Sequence, residues 1–162
     1  VGSRAEIALR QGRLAALADL AGDSEGAVAL ATEAAQAFRS LEDHRGATEA
    51  LAFVAGAQAR RGEVAGGVAA LAEALERSVR RPSVLEWADV LDAGAWLALA
   101  QGRAGDAKAF FDAANRHRTA CGVATPATTE HTRRVLLEQL GDIVATENPE
   151  SELLESVLAA PV

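Results

Sequence analysis

The 162-residue chain has no methionine and a single cysteine, and only 4% of its residues are aromatic. The lone Cys121 excludes an internal disulfide and fits a reducing compartment, so a cytoplasmic location is expected. With no methionine and a start at Val1-Gly2-Ser3, the chain reads as a piece of a larger protein. Aromatic and β-branched residues are too scarce to favour sheets. Long apolar runs are missing too. The longest candidate, Val90 to Ala100, is broken by Asp92 and falls short of the roughly 18–20 residues of a membrane span. Positive charge is in deficit, with 16 Lys and Arg against 23 Asp and Glu and a net charge of −7. Such a chain has no general attraction for phosphate backbones, so no nucleic-acid partner is expected.

Catalytic signatures are missing as well. Nothing fits GxxxxGK[ST], GxGxxG or GxSxG. Gly62-Glu63-Val64-Ala65-Gly66-Gly67 is glycine-rich but has no lysine and falls at a helix turn. The expectation is a non-enzyme with no cofactor and no metal.

What the chain has is alanine, 39 of them, within 49% hydrophobic and 24% charged residues. That balance suits a folded chain. A core of alanine is thin and needs helix backbones close together. The small residues also recur. Gly22, Gly62 and Gly102 stand 40 apart, each followed by a polar residue, Asp23, Glu63 or Arg103. Five residues past each glycine comes Ala27, Gly67 or Ala107, and seven further Ala34, Ala74 or Ala114. Seven before each glycine stands Ala15, Ala55 or Ala95.

Read with these breaks, the chain is a row of paired helices. The first spans about 3–21, with Ser3 as cap and Glu6 three residues on. The next run to about Leu41, from His44 to Arg61 and from Glu63 to Arg80. Pro82-Ser83 restart the pattern. The fifth ends near Gln101, and the sixth spans about Ala104–Ala120 and stops at Gly122. Small residues let the two helices of a pair approach to the close end of roughly 8–10 Å. Larger ones, Leu14, Leu30, Leu51, Val54, Leu71, Leu75, Leu91, Phe110 and Phe111, are expected to fill between pairs. The reading is all-α: an α-solenoid of three antiparallel hairpins over 1–122, with a period of about 40. Over 123–162 a loop holding Pro126 precedes two degenerate capping helices, about Thr129–Leu140 and Ser151–Ala160.

These sites resemble the tetratricopeptide repeat signature. Ala15, Gly22-Asp23, Ala27 and Ala34 match it, then Ala55, Gly62-Glu63, Gly67 and Ala74, then Ala95, Gly102, Ala107 and Ala114. The resemblance covers about Ala8 to Ala120 and implies a right-handed stack. The usual period is 34, so 40 means longer helices or wider turns, and the motif's aromatic positions are mostly absent. The stretch Gly102-Arg103-Ala104-Gly105-Asp106-Ala107, then Thr119 to Val123, Pro126, Arg133-Arg134 and Leu140-Gly141, also resembles the C-terminal repeat region of large bacterial LuxR-type transcription regulators with an ATPase module. That resemblance implies a sensor or regulatory repeat region, with DNA-binding and nucleotide-binding parts outside this segment.

In the repeat family the first helix of each pair lines a concave groove. Carried over, the partner-binding positions are Leu9, Gly12, Ala16 and Asp19; Glu49, Ala52, Gly56 and Ala59 with Arg60; and Asp89, Asp92, Trp96 and Leu99. This mildly acidic groove with an apolar floor suits an amphipathic helix or a basic-apolar segment. The expected partner is a protein or peptide, or another domain of the parent. The alternative is a scaffold that self-associates, as in a homodimer. Three other clusters have plainer readings. His117, Cys121 and His131 read as a helix end rather than a metal site. Arg116, His117, Arg118, Arg133 and Arg134 read as a solvated basic face, with docking to an acidic partner as the functional alternative. Asp89 and Asp92, with Glu86 nearby, could do acid–base work only with shifted pKa values in a cleft, and read more plainly as an exposed charged stripe. Trp87 reads as core.

Overall fold

The structure is a computed structural model that describes residues 3–78, 83–122 and 124–159. Among these residues it is all-α, with eight helices: α1 Arg4–Leu20, α2 Ser24–Ser40, α3 His44–Arg60, α4 Val64–Ser78, α5 Val84–Ala100, α6 Ala104–Cys121, α7 Ala127–Leu140 and α8 Glu150–Ala159. The expected end of the fourth helix at Arg80 and the restart at Pro82 lie outside the described residues. The seventh helix begins two residues earlier than its sequence pattern, directly after Pro126.

Local chemistry sets these boundaries. Ser3 and Glu6 form a reciprocal capping box: the Ser3 backbone N–H donates to Glu6 Oε2 at 2.8 Å and the Glu6 N–H to Ser3 Oγ at 3.3 Å. The Asp23 and Asp43 carboxylates each accept from the backbone N–H three residues on, both at 2.9 Å. Ser83 caps α5 through the Glu86 N–H.

Helix ends follow one device. Gly22, Gly62 and Gly102 have φ of +84°, +77° and +76°. In that left-handed turn the next N–H reaches back five residues, from Asp23 to the Ala18 carbonyl, Glu63 to Gln58 and Arg103 to Ala98, at 2.8–2.9 Å. The break between Leu41 and His44 is a fourth copy, made without a glycine. Glu42 has φ +56° and the Asp43 N–H reaches the Phe38 carbonyl at 3.0 Å. Gly122, at φ +63°, ends α6. These left-handed positions, 22, 42, 62, 102 and 122, are spaced by twenty residues or a multiple of it.

Helices α1, α3 and α5 pack against α2, α4 and α6 respectively, and α3 also packs on α2 and α5. The contacts are poor in side chain. Ala15, Ala27, Ala34, Ala55, Ala74, Ala95, Ala107 and Ala114 have no exposed surface. A Cβ on buried Gly67 would stand 3.0 Å from the Ala55 carbonyl oxygen. Leu71, Leu91, Leu97 and Phe110 fill the interior completely. Leu14 departs from expectation and is 52% exposed, because α1 is the first helix and its outer side has nothing stacked on it among the described residues. The last two helices separate. α8 touches α4, α5 and α6, while α7 touches α6 and reaches α1.

A left-handed backbone costs a residue with a side chain about 1–2 kcal/mol. Glycine's extra freedom in the unfolded chain takes back about 0.4–1 kcal/mol. Glu42→Gly is therefore expected to raise stability by roughly 0.5–1 kcal/mol in chemical denaturation. A loss of stability would show that this turn is not held left-handed.

Candidate binding cavity

The first helices of the three pairs face a common cavity of about 540 Å3, within the usual size of a small-ligand site. Equivalent residues forty apart form its rungs. Leu9, Glu49 and Asp89 make one, Gly12, Ala52 and Asp92 a second, and Ala16, Gly56 and Trp96 a third. Asp19 and Arg60 line it as well. Leu99 does not, and packs partly buried against the core. Ala59, from the same rung as Leu99, is also buried.

The end near Asp19 is tied by Arg60. Its guanidinium donates to Asp19 Oδ2 on α1 at 2.6 Å and lies 5.1 Å from the centre of the Trp96 ring on α5. One α3 side chain thus holds both neighbouring first helices. Gly56, one turn earlier, is buried, but a Cβ there would meet only ordinary contacts, 3.5 Å from Arg60 Nη1 and 3.6 Å from Trp96 Cδ1.

The other end is shaped by two arginines whose role sequence reading missed. Arg118 on α6 donates to Asp89 Oδ1 and Asp92 Oδ2, both at 2.6 Å. Arg133 on α7 donates to Asp92 and to Asn115, and its guanidinium lies 4.6 Å from the centre of the Phe111 ring. Their side chains are only 9% and 6% exposed. The expected solvated basic face is therefore corrected for these two: they point inward because Asp89 and Asp92 need cations. The exposed carboxylate stripe is corrected too: Asp89 and Asp92 pair with these arginines, and Glu86 is buried beside Arg45. Arg116 and Arg134 remain exposed. Through Arg133, α7 is drawn across the cavity, and Thr128, Thr129 and Thr132 line it from that side. The legible signal was the pair of aspartates three apart on a groove-facing helix, which calls for a buried cation.

Charge is unevenly settled. Burial pushes Asp89 above the usual aspartate value, against the pull of Arg118. Burial opposes the charge of Arg118, but Asp92 and Asp89 outweigh it and hold its pKa higher still. Glu49 is exposed by area, but into the cavity, with protein around it. Burial raises its pKa first, helped by Asp89, Glu86 and Asp43, with Arg45 opposing. Arg45 itself lies 3.5 Å from Glu86. Among the described residues Glu49 has no hydrogen-bond or ion-pair partner.

Away from the cavity, Glu150 at the start of α8 accepts from Trp87 Nε1 at 2.9 Å and faces His117 Nε2 at 3.1 Å. Burial works against its charge, yet these partners and Arg116 hold it below the usual glutamate value. His117 thus anchors α8, and Trp87 is partly buried against the core while holding the same carboxylate. Among the described residues no three His, Cys, Asp or Glu side chains stand together as a metal site would need, and no helix is long and apolar enough to cross a membrane. No family profile, curated protein or solved structure matches the chain.

A carboxylate whose native pKa is raised costs stability when ionised, and the cost grows as pH rises above the unfolded value. Glu49→Gln is expected to be more stable than the parent at pH 7. The gain should vanish below the ordinary glutamate value of 4.5. Thermal melts from pH 4 to 8 check this, and a gain independent of pH would show that Glu49 is not the source.

Proposed function

We propose that this chain is a non-catalytic interaction domain, a tetratricopeptide-like solenoid of three hairpins with a period of about 40 and capping helices after it. Its best-fitting role is the sensor or regulatory repeat region of a bacterial LuxR-type transcription regulator, working in the cytoplasm. The observation that carries the reading is the set of three rungs, forty residues apart in sequence, converging on one cavity. A repeat that brings equivalent positions to one concave surface suits the holding of a ligand. The apolar wall and acidic floor favour a protein or peptide segment that is itself apolar and basic, supplied by a partner or by another domain of the parent.

Gly56→Leu tests this, since the new side chain extends into the cavity from a position with room for its Cβ. The immobilised domain is expected to retain a protein from source-cell extract, and the variant to lose it while melting like the parent. Retention unchanged by the variant would remove the cavity from the function.

A second reading, self-association, rests on one feature. Ile7, Leu14, Leu17 and Leu20 of α1 are 40–56% exposed, an apolar patch of the kind that marks contact surfaces. If this face pairs with a copy of itself, light scattering over a concentration series shows a dimer that Leu14→Lys abolishes. A monomer at every concentration ends that reading.

A further inference from the structure

The charged groups around the cavity fall into closed sets. Asp19 is matched by Arg60. Asp89 and Asp92 are matched by Arg118 and Arg133. Glu49 alone on the floor has no basic group within ion-pairing distance among the described residues: Arg45, one turn earlier on α3, acts on it only from farther off, and Asp89, Glu86 and Asp43 act against its charge. Arg13 also lines the cavity, but it is not among the charges that act on Glu49. In its rung Glu49 stands between Leu9 and Asp89, Ala52 and Phe53 follow it on α3, and Trp96 lines the cavity two turns further on. A carboxylate placed in this way keeps part of its desolvation cost for as long as no cation meets it. A neutral guest would worsen that cost by displacing water, and an anion would add repulsion. A guest with one positive charge on an apolar body relieves it.

We propose that the cavity binds a monocation on an apolar body, an ammonium or guanidinium seated on the Glu49 carboxylate with its apolar part against Leu9, Phe53 and Trp96. This rests on the reading of the cavity as a binding site and names the chemistry of its guest. The cation can come from a free amine or from a single Lys or Arg side chain in an apolar segment. Binding stabilises the Glu49 carboxylate, so affinity rises with pH above 4.5, the ordinary value from which Glu49 is raised.

Calorimetric titration with octylamine and with octanol at pH 5 and pH 7.5 tests the charge. A capped five-residue peptide of alanine and leucine around one lysine, against its norleucine analogue, tests the second source. The cationic member of either pair should bind at least tenfold tighter than its neutral twin at pH 7.5, with a smaller gap at pH 5. Glu49→Gln should close the gap, and Gly56→Leu should abolish binding of both members. A preference confined to the peptide pair, or to the amine pair, supports the proposal and identifies the source. Equal binding of cation and neutral twin, or a preference that survives Glu49→Gln, overturns it while leaving the cavity a binding site. Binding unaffected by Gly56→Leu overturns both this proposal and the function it rests on.

Discussion

Close backbone approach is the constraint that everything else in this molecule answers to. Ala15, Ala55 and Ala95 are fully buried at equivalent positions of α1, α3 and α5, and at Ala55 a Cβ on Gly67 of the partner helix would stand 3.0 Å from the carbonyl oxygen. Burying a methyl contributes little transfer free energy compared with a leucine, so such contacts hold only by being many, close and regular. That requires helices of one length and turns of one shape. α1, α2, α3 and α5 each have 17 residues, and their C-terminal ends share the same pattern of backbone hydrogen bonds.

The cavity follows from the same regularity. If equivalent positions on α1, α3 and α5 face one way, their side chains meet in front of the stack, and what they carry decides the character of the surface. One rung passes from Leu9 through Glu49 to Asp89 and the next from Gly12 through Ala52 to Asp92, so α5 brings two carboxylates to one end of the cavity. At the crowded end the structure answers with cations from elsewhere in the chain. Arg118 comes from the second helix of the last pair and Arg133 from α7. Buried pairs of this kind contribute more to positioning than to net stability. Here they tie α7 to α5, so that Thr128, Thr129 and Thr132 line one side of the cavity.

Much of this was legible in the sequence because it depends on local chemistry. Ser3 with Glu6, Asp23 after Gly22 and the alanines forty apart each mark a boundary or a contact within a few residues of themselves. The cavity-lining positions came instead from the resemblance to the repeat family, which places them on the first helix of each pair; the spacing of Gly22, Gly62 and Gly102 only relates Leu9 to Glu49 and Asp89. What escaped depends on groups far apart in the chain. The inward turn of Arg133 is dictated by Asp92 forty-one residues away, and the pairing of Trp87 with Glu150 spans sixty-three. Leu14 was misread as a filler because the pattern that buries Val54 in α3 has no neighbour to work against in α1. The break at Glu42-Asp43 was legible, but its left-handed backbone was not, because the residue that adopts it is not a glycine.

The twenty-residue beat of the left-handed turns has a consequence for how this chain can change in length. A helix advances about 100° per residue, so deleting one residue within α3 would swing every later side chain of that helix away from its rung. Excising a block of forty would instead rejoin like to like and leave the remaining rungs in phase. Length here is therefore easier to change in blocks that keep the turns in phase than by single residues.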